Sequence, residues 1–371
     1  MTTDPKTILI VNIRLIGDVI LTTPLIGLLK VAYPQTSIDL LVNRGTGEFL
    51  EKDPRVRDVI YSDGDLSGSG SSRTGYLGKI FRKYDLAINL NASDRGNLAV
   101  LFASRRWRFG IYYGFLFWKD IWKRLLFSHA IPYPFPIHYA RLGQVVAEKL
   151  GLTVSRLEAK VYWDTSDEAI VASTLSELSV HGDYFVIHPF ARWRYKYWQP
   201  EKFAAVSDFI AERYNLQPVW TSSPAVEERQ ALAAAAALCK ISPAQIPGEL
   251  NLNQMTCLLS RSVVYVGLDT AISHLAATTG IPMVALYGPT HTDWWSPWNN
   301  NGPLAQQCPL QRGRQRTGQI IVVQKDMPCV PCGQAGCNGN GLEPPCMLEI
   351  QVSEVLEAVT ELMDEHGYKR G

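Results

Sequence analysis

At 371 residues the chain exceeds what one hydrophobic core usually supports, so two domains of ordinary size are expected. With 46% hydrophobic and 19% charged residues, the composition excludes a largely disordered chain. A formal net charge of +1 supplies no overall field for nucleic acid, so any electrostatic recognition has to come from local patches.

The polar start, Met1 to Thr7, carries Asp4 and Lys6 and lacks the basic region and small-residue cleavage site of a signal peptide. Arg14, Asp18, Lys30 and similar residues interrupt every apolar run well short of the ~18 residues a membrane-spanning helix needs. A cytoplasmic location is expected, and seven cysteines suit a reducing compartment.

In chain order, residues 7–13 (TILIVNI) read as a buried strand, Arg14 to Asp18 as a loop, and Leu21 to Ala32 as a helix. Strands follow at Ile38 to Val42, Val59 to Tyr61 and Leu86 to Leu90, the alternation of a parallel doubly wound sheet. The Gly/Ser tract from Asp63 to Gly75 reads as a mobile loop. Thr165 to Gly182 is polar and reads as the connection to a second α/β cycle. That cycle runs through a strand at Tyr184 to His188, a helix over Pro200 to Tyr214, a strand at Gln217 to Thr221 and a helix over Val226 to Leu238. It continues with a strand at Val263 to Val266, a helix over Ile272 to Thr279, a strand at Met283 to Tyr287 and a terminal helix over Val352 to Glu365. The expected division is 1–170, 171–350 and a terminal helix 351–371 that is a candidate to pack back on the first domain. In open α/β sheets ligands bind at the carboxyl ends of strands, so a cleft between the two domains is the expected active site.

Three strand-to-helix loops hold the residues that could carry chemistry. In Arg14-Leu15-Ile16-Gly17-Asp18, Asp18 is either an acid favoured by a helix N-terminus or a general base, and Gly17 would let a substrate approach the backbone. After the strand ending at His188, the cations Arg192, Arg194 and Lys196 precede a helix start, a natural place for a diphosphate, with Trp193 and Trp198 read as exposed beside them. In Gly267-Leu268-Asp269-Thr270-Ala271-Ile272-Ser273-His274, Thr270 is a plausible N-cap whose helix amides could hold a second phosphate. His274 stands on the first turn, as a packed structural histidine or a ligand contact. No GxGxxG or GxxxxGK[ST] follows either first strand, and no Asp-x-Asp pair closes a strand, so charge neutralisation falls to cations and helix ends.

Taken together, ILIVNIRLIGDVILTTPLIGLLK, HPFARWRYKYWQPEKFA and VGLDTAISHLAATTGIPMVALYGPT resemble glycosyltransferase family 9, the lipopolysaccharide heptosyltransferases. The WWSPWNN stretch from Trp294 to Asn300 is most similar to the heptosyltransferase III branch, which adds a side-branch heptose to the inner core. The resemblance implies a GT-B fold of two Rossmann-like domains, ADP-heptose as donor, inversion at the anomeric carbon, no cofactor and no catalytic metal. By the family pattern Asp18 is the base, Lys196 faces the departing diphosphate, and Asp269, Thr270, Ala271 and His274 form the donor loop. Glu227, or Glu228 beside it, matches the acid that holds the ribose or adenosine. Ala271 stands where many members have glycine, which bears on how closely backbone packs on phosphate.

The acceptor implied is the lipopolysaccharide core. Between Arg95 and Phe127 lie seven cations (Arg95, Arg105, Arg106, Arg108, Lys119, Lys123, Arg124) against one acid, Asp120. Trp107, Tyr112, Tyr113, Phe115, Phe117, Trp118 and Trp122 are interleaved with them. They read either as a solvated face over core aromatics or as a surface for anionic oligosaccharide and membrane headgroups, and the second reading predicts peripheral attachment to the inner membrane. Finally Cys329, Cys332, Cys337 and Cys346 have a spacing that could hold zinc, while a structural loop or redox-labile thiols is the other reading.

Overall fold

The structure, a computed structural model, describes residues 4–62, 75–114, 117–134 and 136–368, so the Gly/Ser tract at 63–74 lies outside the described residues. The chain divides into two compact units, Met1–Tyr162 and Trp163–Gly371.

The first unit runs β1 (Thr7–Asn12), α1 (Ile16–Ile20), α2 (Thr23–Ala32), β2 (Ser37–Val42), β3 (Asp58–Tyr61), α3 (Gly75–Ile80), β4 (Tyr84–Asn89), α4 (Asp94–Ala103), β5 (Ser104–Tyr112), α5 (Phe117–Leu126), β6 (His129–Pro132) and α6 (Leu142–Lys149). Its sheet has the order β3-β2-β1-β4-β5-β6, with every pairing parallel. Helices cover both faces, so β1 is apolar at every position from Ile8 to Val11; Leu9 and Val11 pack with Leu41, Ala87 and the α4 residues Ala99 and Val100. The strand order reverses between β1 and β4, and the β1–α1 loop opens at that reversal.

The second unit begins with α7 (Thr165–Glu177), β7 (Tyr184–His188), α8 (Pro200–Tyr214), β8 (Gln217–Ser222), α9 (Val226–Ala236), β9 (Ala244–Pro247), α10 (Leu252–Ser260) and β10 (Tyr265–Leu268). It continues with α11 (Ala271–Thr279), β11 (Met283–Tyr287), α12 (Thr292–Trp295), β12 (Gln315–Thr317), β13 (Ile320–Gln324), α13 (Pro345–Leu348) and α14 (Val352–Glu365). The sheet order is β12-β13-β11-β10-β7-β8-β9, with only the β12–β13 hairpin antiparallel. Here the order reverses between β7 and β10, the two strands whose loops carry Lys196 and Asp269.

Two expectations are corrected. The polar stretch 165–182 is not a linker but opens with α7, whose N-cap Asp164 accepts from the Ser166 and Asp167 amides; the division falls before it. Residues 16–18 form the first turn of α1 rather than a loop. The terminal helix α14 buries Val355, Ala358, Val359, Leu362 and Met363 in the core of the second unit, packing on α8.

Candidate active site

In the first unit, β1 ends at Asn12, whose amide donates to the Asp18 carbonyl at 3.0 Å and to Thr22 Oγ1 at 2.6 Å, pinning the turn that follows. Asp18 is only 5% exposed at the third position of α1. Its Oδ1 accepts from Arg14 Nε at 2.9 Å and its Oδ2 from the Leu15 amide at 3.3 Å. Burial pushes the carboxyl above its usual value, while the Arg14 charge and these hydrogen bonds pull it back. Gly17 is half-buried within the same turn, its carbonyl accepting from the Leu21 amide at 3.0 Å. Around the pair stand Tyr139, buried beneath Arg14 with its ring 6.0 Å from the guanidinium, and Tyr113 stacked on Tyr133 at 5.9 Å. The position of Asp18 was legible in the sequence; its pairing with Arg14 and the tyrosines, drawn from loops distant in sequence, was not.

In the second unit, the β7–α8 loop brings Lys196 Nζ to 2.6 Å from Asp269 Oδ2 and 3.3 Å from the Asp269 carbonyl. Asp269 is 6% exposed and also accepts from Thr290 Oγ1 at 2.6 Å. Thr290 belongs to the Gly288-Pro289-Thr290 turn, whose carbonyls at Gly288 and Thr290 accept from the buried Gln324 amide at 2.7 and 2.9 Å. Neither Thr290 nor Gln324 was assigned a role from sequence, because both contacts depend on which strands become neighbours. Thr270 is the N-cap of α11 by its extended backbone, though its side chain makes no cap bond, and Ala271 is the first helical residue, partly exposed. The first amides of an α-helix have no intrahelical acceptor, and α11 starts at Ala271, two residues after Asp269 of the Lys196–Asp269 pair.

His274 is buried, and its Nδ1 has no hydrogen-bond partner among the described residues. Burial pushes it down to about 4. His188, at the end of β7, is likewise pushed down to about 4 by burial and shares a 2.9 Å hydrogen bond with Thr221 Oγ1. Both imidazoles are neutral in the fold at pH 7, whereas the unfolded chain protonates them below about pH 6.5. Between roughly pH 6.5 and 4 the unfolded state therefore binds more protons, and stability falls as pH falls; the raised Asp18 carboxyl opposes this. Urea unfolding at pH 7.5 and pH 5 is expected to show weaker stability at pH 5, and His188→Gln to shrink that difference. An equal difference in the variant would place the acid sensitivity elsewhere.

The remaining candidates divide. Arg194 is engaged by Glu343, donating through Nε and Nη2 at 3.1 and 2.9 Å, and Arg192 lies exposed over the Trp193 ring at 5.0 Å. Trp193 is 45% exposed, but Trp198 is a core residue, 2% exposed, donating to the Ile350 carbonyl at 3.0 Å and meeting Phe203 edge-on; its expected exposure was wrong. Glu227 is exposed on the first turn of α9, while Glu228 accepts from the Ser223 amide at 2.9 Å and so closes that helix start. In the WWSPWNN stretch Trp298 is buried and Trp294 stacks on His291 at 4.2 Å.

Cys329, Cys332 and Cys337 are exposed and Cys346 buried; all are free thiols lining one small cavity with Pro289 and Pro344. Burial, with the three neighbouring thiols, pushes Cys346 up to about 12. No group of three or more His, Cys, Asp or Glu has the disposition of a metal site among the described residues. The basic stretch is also partly structural. Lys123 is buried between Asp94 at 2.8 Å and Asp120 at 2.7 Å, Arg108 donates to the Ser104 and Leu126 carbonyls, and Tyr112 is core. Phe115 and the side chains of Phe117, Trp118 and Lys119 lie outside the described residues.

The sequence pattern of glycosyltransferase family 9 (heptosyltransferase) matches residues 77–317, which take in the second half of the first unit, the second unit as far as β12 and all of the Lys196–Asp269–Thr290 cluster. The chain belongs to glycosyltransferase family 9. Among this family's members, it is 29% identical over 290 residues to lipopolysaccharide heptosyltransferase 3 of Escherichia coli strain K12, covering 77% of this chain and 83% of that one. The fold matches that of a family 9 glycosyltransferase from Veillonella parvula, with a TM-score of 0.77 at 20% identity over 98% of this chain and 99% of that one. It also matches E. coli ADP-heptose lps heptosyltransferase II, with a TM-score of 0.71 at 18% identity over 97% and 99%. The family 9 chain is therefore a glycosyltransferase of the GT-B fold with two Rossmann-like domains.

Proposed function

We propose that this glycosyltransferase transfers heptose from ADP-heptose to the lipopolysaccharide inner core, at the third, side-branch position, with inversion and without a catalytic metal. The observation that carries the reading is the Lys196–Asp269–Thr290 cluster at the strand-order reversal of the second sheet, beside the start of α11. A lysine anchored there and the first amides of a helix are what a departing diphosphate needs. The 29% identity to a heptosyltransferase 3 supports the branch position.

In the proposed reaction the first unit supplies Asp18 as general base. The acceptor hydroxyl oxygen forms its bond to the anomeric carbon as its proton passes to the Asp18 carboxylate. The bond from that carbon to the β-phosphate oxygen breaks on the opposite side, and ADP leaves with the electron pair. A single displacement of this kind inverts the centre. Lys196 and the α11 amides take up the charge that develops on the diphosphate, Thr270, Ala271 and His274 line the donor side, and His274 Nδ1 offers the donor a buried polar partner. Arg192 and Arg194 follow β7 and Glu227 stands on the first turn of α9 after β8, where the nucleoside and phosphates would be held.

The test is transfer of labelled heptose from ADP-heptose to defined truncated cores, with EDTA present. Label should enter cores that carry both main-chain heptoses and lack the branch, at a rate EDTA leaves unchanged. Label entering only cores that lack the first or second heptose would reassign the step, and no transfer to any core would leave a glycolipid-binding module.

The acceptor is membrane-borne, and the first unit offers a face for that membrane on the cytoplasmic side. Phe81 and Phe102 are exposed with ring centroids 6.4 Å apart, Leu125 and Leu126 are exposed just after Arg124, and Arg82, Lys83, Arg105 and Arg106 are exposed where β4 and β5 begin. No helix among the described residues is long and apolar enough to cross a membrane, so attachment by this face would be peripheral. Each cation near an anionic surface contributes about 1 kcal/mol, screened by salt. Sedimentation with phosphatidylglycerol vesicles should show binding that falls steeply between low and physiological salt and that Arg105→Glu/Arg106→Glu weakens at least tenfold, by about 1.4 kcal/mol or more. Binding indifferent to salt and to these changes would remove the face from consideration.

A further inference from the structure

Arg14 and Asp18 sit four residues apart across the turn into α1, and the bond between them is specific in geometry: Nε to Oδ1 at 2.9 Å, with the Asp18 side chain 6% exposed and that of Arg14 37% exposed. A carboxylate withdrawn from water to this degree loses most of its hydration, and an adjacent guanidinium is the compensation available. The groups facing the carboxylate come from several elements. Arg14 and the Leu15 amide belong to its own turn, Tyr113 follows β5, and Tyr133 and Tyr139 follow β6. Of these, Arg14 is the cation, and burial pushes Tyr133 up to about 12 and Tyr139 well above the usual tyrosine value.

Arg14 is itself held. Its guanidinium lies over the buried Tyr139 ring, and its carbonyl accepts from Asn43 Nδ2 at 3.4 Å. A restrained cation of this kind constrains the rotamer of the acid it binds and occupies one oxygen, leaving the other to a weaker amide contact at 3.3 Å. We propose that Arg14 is the positioning residue for the Asp18 base: it fixes which carboxylate oxygen is engaged by the protein and supplies the charge that a buried carboxylate requires. The inference rests on the reading of Asp18 as the base.

The experiment is the pH profile of kcat/KM for heptose transfer by the full chain and its variants. In Arg14→Gln the acid limb should move to higher pH by about one unit or more, because removing the cation makes the carboxyl easier to protonate. Activity near the limb should fall about tenfold and largely return at alkaline pH. Arg14→Lys, which keeps a charge, should rescue the position of the limb, with a lower kcat from the lost Nε geometry. ADP affinity and a cooperative melting transition report folding in each variant, and Arg14→Ala repeats the measurement should the Gln variant not melt cooperatively. A rate loss with an unmoved limb would overturn the proposal, showing that Arg14 acts on the acceptor or not at all. Asp18→Asn separates the two ideas: if that variant stays active at every pH, the base assignment itself fails, whatever Arg14 does.

Discussion

Asp18→Asn is expected to lower kcat by about 10² to 10⁴ while ADP binds the variant as tightly as the parent. The substitution suits the test because it keeps the shape of the side chain. An asparagine oxygen takes over one of the two bonds that Asp18 Oδ1 and Oδ2 accept, from Arg14 Nε and the Leu15 amide, and the Asn12 bonds to the Asp18 carbonyl and to Thr22 do not involve the Asp18 side chain and remain. What is lost is the ability to take a proton. Burial already holds the Asp18 carboxyl above the ordinary carboxylate value, against the pull of the Arg14 charge. The measurement is single-turnover transfer beside calorimetric titration with ADP. A variant keeping a tenth or more of the parent rate would falsify the assignment of Asp18 as base and return it to the role of a helix-start acid.

Much of this arrangement could be read from the chain before any coordinates. β7, α8, β11 and α14 fall on the residues expected, because each is a long apolar run or a clear 3.6-residue period bounded by Pro or Gly. The segments holding Asp18, Lys196 and Asp269 were legible for the same reason, since each follows a strand that the pattern defines, although Asp18 proves to lie on the first turn of α1. Strand β13, IIVVQ, and the short β9 and β12 were passed over, hidden among polar loops where local preference says little. Strand β5, SRRWRFGIY, lay in the stretch read either as a solvated face over core aromatics or as a binding surface, and its place between β4 and β6 shows that Phe109, Ile111 and Tyr112 are core. The same limit explains Trp198. A tryptophan in a cationic loop reads as exposed until α8 and the chain at Ile350 are seen to enclose it. Partners separated widely in sequence, such as Arg194 with Glu343 or Asp269 with Thr290, are fixed by strand order and leave no local signal.

Lys196→Met should cost both activity and stability, and the two losses can be told apart. Asp269 is nearly inaccessible, and Lys196 Nζ pairs with it at 2.6 Å, so removing the ammonium strands a buried carboxylate that among the described residues keeps the Thr290 Oγ1 bond. Breaking such a pair costs about 3 kcal/mol in unfolding free energy, and removing a cation that faces a developing diphosphate charge costs about 10² to 10³ in kcat. Asp269→Asn alone leaves the lysine in place, 19% exposed and able to reach water, so its stability cost should be smaller. The double variant Lys196→Met/Asp269→Asn removes both charges together and should regain most of the stability lost in Lys196→Met, since neither partner is then left unpaired. It should regain none of the turnover, and its affinity for ADP should stay weak. Urea unfolding and heptose transfer on the four proteins of this cycle decide the matter. If activity returns with stability, the pair only holds the β10–α11 loop in shape and the leaving diphosphate finds its positive charge elsewhere.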